Sequence, residues 1–110
     1  METPAIRDKK NPKYKEVQKV SSIKQVTENA KSLYGPFGTI YLSTQKKKKF
    51  MIKNPLTNKW VHFGELAYED FTKHKDPERR ARYLKRAFGI KGKWKKDPFS
   101  ANNLAIFLLW

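Results

Sequence analysis

The amino-acid sequence predicts an α+β fold, in which a small three-stranded antiparallel β-meander is followed by two short C-terminal helices and preceded by an extended N-terminal arm. Three observations lead to this fold. Short β-branched and aromatic segments cluster in the middle of the chain, turn-forming residues separate them, and helix-capping residues follow them. Helices that cover one side of a small antiparallel sheet would bury the apolar faces of both kinds of element.

The N-terminal region is predicted to differ from the rest of the chain. Residues 1–38 form an arm with a possible helix, and residues 39–110 form a basic α+β domain. Residues 1–14 have few apolar side chains and mixed charge, which favours an extended arm. In residues 15–33, apolar side chains recur every three or four positions, as on one face of a helix, although the β-branched content opposes helix formation. Residues 34–38, YGPFG, are a turn by composition.

The three predicted strands are separated by turn-forming or charged segments. They lie at residues 39–44 (TIYLST), 48–53 (KKFMIK) and 59–63 (KWVHF). The NPLTN segment between the second and third strands has turn chemistry, because Pro fixes φ and Asn tolerates left-handed geometry. The run Lys46–Lys49 lies on the first hairpin, partly in its loop, where its charge would keep the sheet edge from pairing with other chains.

The strongest helix signal begins at Asp76. This residue can cap a helix, Pro77 suits the first turn, and Gly89 ends the segment. Cations largely cover the other faces of this helix, while one face carries an apolar stripe of Tyr83, Leu84, Ala87 and Phe88.

A second C-terminal helix is predicted after Ser100, which can act as its cap. Leu104, Phe107 and Leu108 are expected to share one face of this helix. The final residues, IFLLW, predict a tail that is docked into a core, because an exposed tail of this composition would promote aggregation.

Length and composition limit the possible classes of protein. The 110 residues form one domain at most, and three Trp, five Tyr and seven Phe supply a modest core. The absence of Cys excludes disulfides and thiolate metal sites and fits a reducing compartment. No apolar run approaches the roughly 18 residues of a membrane span, and the opening segment lacks the apolar region of a secretory signal.

The formal net charge of +15 is the strongest compositional signal. Such a charge disfavours self-association and favours nucleic acids, anionic membrane surfaces or acidic protein surfaces as partners. The C-terminal third dominates, since residues 73–96 hold eleven Lys and Arg against two acids.

The residues that could support catalysis do not form a recognisable pattern. His62, His74, Glu69 and Asp70 are the candidates for a metal or acid–base site, but they lack a compact ligand spacing. The GIKGKWKK segment has too few glycines for a phosphate loop. We therefore expect a protein that is not an enzyme, with no catalytic residues, no metal, no cofactor and no small-molecule substrate.

The basic residues instead predict contact with a polyanion or an acidic partner. Trp94, which lies among lysines, could stack on a base or could anchor its loop to the core. A basic amphipathic helix at residues 77–88 could also contact a membrane, but its apolar stripe is narrow and needed for the core. The predicted contact residues are Lys46, Lys47, Lys48, Lys49, Arg79, Arg80, Arg82, Lys85, Arg86, Lys91, Lys93, Lys95 and Lys96.

Five motifs in fixed order resemble a small basic domain that recurs in large icosahedral DNA viruses of algae and protists. They are KKKKFMI, VHFG, YEDFTKHKD, RRARYLKR and SANNLAIFLLW, and they span roughly residues 39–110. The residues of these motifs are expected to support the fold. Tyr68 and Phe71 are expected to pack inward, and Asp70 and Asp76 to offer partners to Arg79 or Arg80.

The resemblance implies a protein of a giant virus that is carried in the virion, on the inner side of the capsid, after production in the host cytoplasm. The leading hypothesis is a minor capsid-associated protein that links capsomers through its basic surface and its arm. Its partners would then be capsid proteins of the same virion, with possible contacts to packaged DNA or an internal membrane. The alternative is a DNA-binding virion protein that condenses or anchors the genome without sequence specificity.

Overall fold

The computed structural model of the protein describes residues 10–110. Two helices precede a sheet, and further helices follow it. The helices before the sheet are α1 (Pro12–Gln18) and α2 (Ile23–Tyr34), the strands are β1 (Ile40–Leu42), β2 (Lys48–Asn54) and β3 (Lys59–Glu65), and the later helices are α3 (Phe71–His74), α4 (Pro77–Phe88) and α5 (Ala101–Leu104). Single 3₁₀ turns lie at Gly35–Phe37 and Trp94–Lys96, and a π-helical turn, Ala105–Leu109, continues α5.

The sheet has the order β1-β2-β3, and both pairs of strands are antiparallel. Phe50 on the central strand lies opposite Leu42 on one side and Phe63 on the other. These three side chains are buried and face the same side of the sheet, so the register places an apolar face toward the helices. The α+β class and the three-stranded antiparallel meander are therefore confirmed.

The order of helices matches the prediction only in part, because two helices lie before the sheet. Asn11 caps α1 by accepting a hydrogen bond from the backbone N of Lys13 (2.9 Å), and Pro12 occupies the first helical position. Ser22 caps α2 through the backbone N of Gln25 (3.2 Å). The expectation of an extended chain is thus wrong at Pro12, where the cap and the proline start a helix. The rest of the predicted arm, residues 1–9, lies outside the described residues.

The hydrophobic core lies between the sheet, α2 and the C-terminal helix. It combines residues from both sides of the boundary that was predicted at residues 38 and 39, because α1 and α2 contribute Val17, Val26 and Ala30, which are fully buried. Burial of these side chains outweighs the poor helix propensity of the β-branched residues in this region. The other core side chains include Ile40, Leu42, Phe50, Ile52, Phe63, Phe99, Leu104, Leu108 and Leu109.

The C-terminal tail docks into this core, as its composition predicted. Leu108 and Leu109 are buried, but Phe107 is 53% exposed. The expectation that Phe107 shares one face with Leu104 and Leu108 is wrong, because the π-helical turn is wider than an α-turn and rotates the residues that follow Leu104. Leu109 therefore takes a place in the core, and Phe107 faces outward.

Helix α4 begins and ends where the sequence predicts, but it packs only shallowly. The Asp76 carboxylate accepts hydrogen bonds from the backbone N atoms of Glu78 (3.0 Å) and Arg79 (3.4 Å). Of the predicted apolar stripe, only Ala87 is buried, and Phe88 is 45% exposed. Most of this helix consequently presents its side chains to solvent. None of the helices in residues 10–110 is long and apolar enough to cross a bilayer.

Candidate polyanion-binding surface

The loop of the first hairpin is basic and is fixed to α1. The Lys13 ammonium group donates hydrogen bonds to the backbone carbonyls of Gln45 (2.8 Å) and Lys46 (3.2 Å). Lys46 and Lys47 are exposed, whereas Lys48 forms an ion pair with Glu65 on β3. Lys46 and Lys47 therefore remain available for a partner, and the loop that carries them is held in place by Lys13.

Lys49 belongs to the same run of lysines but lies inside the protein. Its side chain is 2% exposed, and its Nζ is 3.0 Å from Oδ2 of Asp70, which is fully buried. The expectation that Lys49 contributes to the basic surface is wrong, and so is the expectation that Asp70 pairs with an arginine. The cause is local packing. Gly64, at φ +82°, leaves the space that the Lys49 chain occupies, since a Cβ there would lie 3.2 Å from Cδ of Lys49.

Hydrogen bonds complete the surroundings of this buried pair. The Thr72 hydroxyl donates to Oδ1 of Asp70 and accepts a hydrogen bond from the backbone N of Ser22 (2.9 Å). The backbone N of Asp70 donates to the carbonyl of Val20 (3.0 Å). Burial lowers the pKa of Lys49, and the adjacent Asp70 carboxylate opposes that shift. Lys49 thus ties the hairpin to α3 and to the α1–α2 junction.

The arginines of α4 divide into two groups. Arg79 pairs with Glu69 at 3.5 Å, and Arg80 donates through Nε to the carbonyl of Trp110 (2.8 Å). Arg82 and Arg86 are exposed and form no ion pair within residues 10–110. Asp76, which was expected to pair with Arg79 or Arg80, caps the helix instead. The exposed side of α4 therefore carries unpaired arginines one helical turn apart.

The loop after α4 is rich in lysine and is held by a network of hydrogen bonds. Asn103, which is buried, donates through Nδ2 to the carbonyls of Trp94 (2.8 Å) and Asp97 (2.8 Å). The Ser100 hydroxyl also donates to the Trp94 carbonyl (3.0 Å). Because these contacts use the backbone, the lysine side chains stay at the surface. The exposed cations of this loop are Lys91, Lys93, Lys95 and Lys96.

Trp94 has the contacts of an anchor. Its indole Nε1 donates to the carbonyl of Ile90 (2.7 Å), and its half-buried ring lies 6.2 Å from the ring of Phe88. The Lys95 ammonium group lies 5.6 Å from the ring centroid of Trp94. Of the two roles that the sequence left open, these contacts favour anchoring of the loop over stacking on a base.

The structure therefore separates the thirteen predicted contact residues by their contacts. Three of them, Lys48, Lys49 and Arg79, form ion pairs with acids of the same chain. The remaining ten are exposed and without an ion pair in the part of the chain that is described. We call these ten the basic surface: Lys46, Lys47, Arg80, Arg82, Lys85, Arg86, Lys91, Lys93, Lys95 and Lys96.

The two histidines lie apart from each other and have different partners. His62 Nδ1 lies 2.7 Å from the hydroxyl of Ser43, which is 4% exposed. Burial, together with the nearby Lys13 and Lys48, lowers the pKa of His62. A Ser–His pair needs an acid to orient the imidazole in a catalytic triad, and no acid from residues 10–110 is hydrogen-bonded to this ring.

His74 has a structural contact at the start of α4. Its Nδ1 accepts a hydrogen bond from the backbone N of Asp76 (2.9 Å), and its ring lies 5.1 Å from that of Trp110. Burial is the largest cause that lowers the pKa of His74. Within residues 10–110, no group of three or more His, Cys, Asp or Glu side chains is arranged to hold a metal ion.

The chain resembles a known family over a little less than half of its length. A family model described as a family of unknown function (DUF5754) matches residues 38–87. This range contains the sheet, the Lys49–Asp70 pair and most of α4, and it ends before the lysine-rich loop. No curated protein and no solved structure matches the chain significantly.

Proposed function

We propose that this chain is a basic docking protein without catalytic activity, whose basic surface binds an acidic face of a protein partner in an assembly. In keeping with the viral resemblance of its motifs, the proposed assembly is the capsid of a large icosahedral DNA virus. The protein would be a minor structural component that links capsomers on the inner side of the shell.

One observation carries this proposal. Ten cations are displayed without acidic partners among residues 10–110, on segments that other contacts hold in place. Lys13 fixes the hairpin loop, and Asn103 fixes the loop that carries Lys91 to Lys96. A surface that is ordered before binding loses less conformational entropy when it meets a partner. Like charges of this number also disfavour contact between two copies of the chain, which favours an acidic partner.

A second candidate function is binding to duplex DNA without sequence specificity. The unpaired Arg82, Lys85 and Arg86 on α4 favour it, because such side chains can neutralise phosphates. If about six phosphates are neutralised, the logarithm of the binding constant should fall with the logarithm of the salt concentration with a slope near −5. A negligible slope, or no binding at low salt, would remove this candidate.

Fractionation of purified virions tests the leading proposal. The particles are opened, the DNA is removed with nuclease and high salt, and the protein is followed by immunoblot. The expected result is that the protein stays with the shell and leaves it only when the capsomers separate. Recovery of the protein with the DNA, together with its absence from the stripped shells, would refute the capsid role.

A further inference from the structure

A cleft of about 440 Å³ lies between β3, α4 and the C-terminal helix. Its walls are mainly apolar and aromatic and include Phe63, Tyr68, Tyr83, Ile90, Ala105 and Trp110. Tyr68 is 68% exposed and Ile90 is 52% exposed. Tyr68 was expected to pack inward, and this is wrong, because its side chain lines the opening of the cleft. Tyr68 and Ile90 thus leave apolar surface exposed to solvent at the cleft.

One end of this cleft carries an excess of positive charge. Lys48, Glu65, Lys49 and Glu69 line it, and each of them has a partner within the chain. A pocket that adjoins the cleft at Tyr68 is lined by Arg79, Arg82 and Arg86. Since Arg79 is paired with Glu69, the charges at this end that lack an ion pair in the described part of the chain are those of Arg82 and Arg86. Their spacing of four residues places both on one face of α4.

We infer that the cleft binds an acidic segment of a protein partner, with one bulky apolar side chain inserted beside Tyr68 and with carboxylates on Arg82 and Arg86. This inference rests on the proposed function and gives the docking protein a specific binding site. A fully desolvated apolar anchor surrounded by polar contacts is the usual form of a hot spot in protein interfaces. Acidic residues beside the anchor would meet the two arginines and would add long-range attraction.

The aromatic rings favour a peptide over single-stranded nucleic acid. Base recognition of that kind needs open ring faces on which successive bases can stack. Tyr83 and Trp110 stack on each other, with centroids 4.2 Å apart and planes at 11°, so each ring has one face covered. Among the described aromatic side chains that line the cleft, Tyr68 is the one that is largely exposed, which leaves a single open ring where successive bases would need several. An apolar side chain requires volume and mainly apolar walls, which the cleft offers, and it needs no open ring face.

The test uses two short capped peptides made of Asp and Glu, one with a central Leu and one with Ser in its place. Binding to the ¹⁵N-labelled full chain is measured by NMR titration at physiological salt. The Leu peptide should bind at least about tenfold more tightly than the Ser peptide, which corresponds to about 1.4 kcal/mol. Its largest shifts should fall on the Asn102 side-chain amide and the Trp110 indole, both of which line the cleft.

Matched variants show whether the cleft causes this difference. Ala101→Leu adds volume inside the cleft without a change in charge and should remove the advantage of the Leu peptide. Ala81→Leu, at an exposed position of α4 outside the cleft lining, should leave the advantage intact. The double variant Arg82→Glu with Arg86→Glu should weaken the binding of both peptides. The effect should be larger than that of the control Lys15→Glu with Lys24→Glu, which changes the net charge equally.

Equal affinity for the Leu and Ser peptides would overturn the inference, because binding would then depend on charge alone. Tighter binding of oligothymidine that Ala101→Leu abolishes would also overturn it and would assign the cleft to nucleic acid. These outcomes are distinct from failure of the proposed function. If the protein remains on stripped shells while the two peptides bind equally, the cleft is not the docking site but the capsid role stands.

Discussion

Lys47 and Lys49 lie two positions apart in one run of four lysines, yet they occupy opposite environments. Lys47 is exposed in the hairpin loop, whereas Lys49 is buried beside Asp70. The first charge is free to meet a partner, and the second holds the hairpin against α3. A run of like charges therefore does not have one function, because the cost of desolvation makes a buried charge depend on a partner inside the fold.

The largest expected effect is that of Lys49→Ala. This variant leaves the Asp70 carboxylate buried without its cation, and loss of one partner of a buried pair typically costs about 3–5 kcal/mol. The free energy of unfolding is measured by urea denaturation. Lys47→Ala is the matched control and should change this free energy by less than about 0.5 kcal/mol. Similar stabilities of the two variants would show that the Lys49–Asp70 pair does not hold the fold.

A smaller effect is expected for Gly64→Ala, which disturbs the packing that buries Lys49. The new Cβ would lie 2.8 Å from Cδ1 of Leu109, and the residue would keep a positive φ. Strain of this kind costs about 1–3 kcal/mol. Gly89→Ala is the control, since Gly89 has φ −82° and a Cβ there would meet only ordinary contacts. If thermal unfolding of the two variants is the same, Gly64 has no special role.

Loss of the cap of α4 should have a moderate effect. Asp76→Ala removes the oxygen that accepts from Glu78 and Arg79, and it should lower the free energy of unfolding by about 1 kcal/mol. Asp76→Asn retains an acceptor and should be nearly neutral. Circular dichroism during denaturation measures both variants. An equal loss in both would show that the negative charge of Asp76 matters more than its hydrogen bonds.

A weak dependence of stability on pH is expected from the histidines. Burial is the main cause that lowers the pKa of His62 and of His74 in the folded protein. Below the ordinary histidine pKa of about 6.5, the unfolded chain therefore binds more protons than the folded chain. The free energy of unfolding should be highest above that pH and should fall as the pH drops below it. It should level off below the folded-state pKa values of the two histidines.

Urea denaturation between about pH 7.5 and pH 5.5 measures this dependence, in a range above most carboxylate titrations. The variant His74→Phe keeps an aromatic ring next to Phe71 and Trp110 and should show a smaller loss over this range. Stability that increases as the pH falls would contradict the assigned direction of both pKa shifts.

Much of the fold could be predicted from local signals. The turn at residues 55–58 separates β2 from β3, and Asp76 with Pro77 starts α4, because caps and turns act within a few residues. The burial of Lys49 could not be predicted in this way. It depends on Asp70, which is 21 positions away in sequence, and on the space beside Gly64. The cleft at Tyr68 was missed for the same reason, since three distant segments form it.

Crosslinking of intact virions with a lysine-reactive reagent tests the central claim most directly, because it compares the exposed and buried lysines within one sample. After digestion, mass spectrometry identifies the linked residues. Under the proposed capsid role, we expect links from Lys47, Lys93 and Lys96 to a capsid protein and no modification of Lys49 until the protein unfolds. Modification of Lys49 at the same rate as Lys47 would contradict the division between a buried lysine that supports the fold and exposed lysines, and an absence of capsid links at the exposed lysines would contradict the proposed partner.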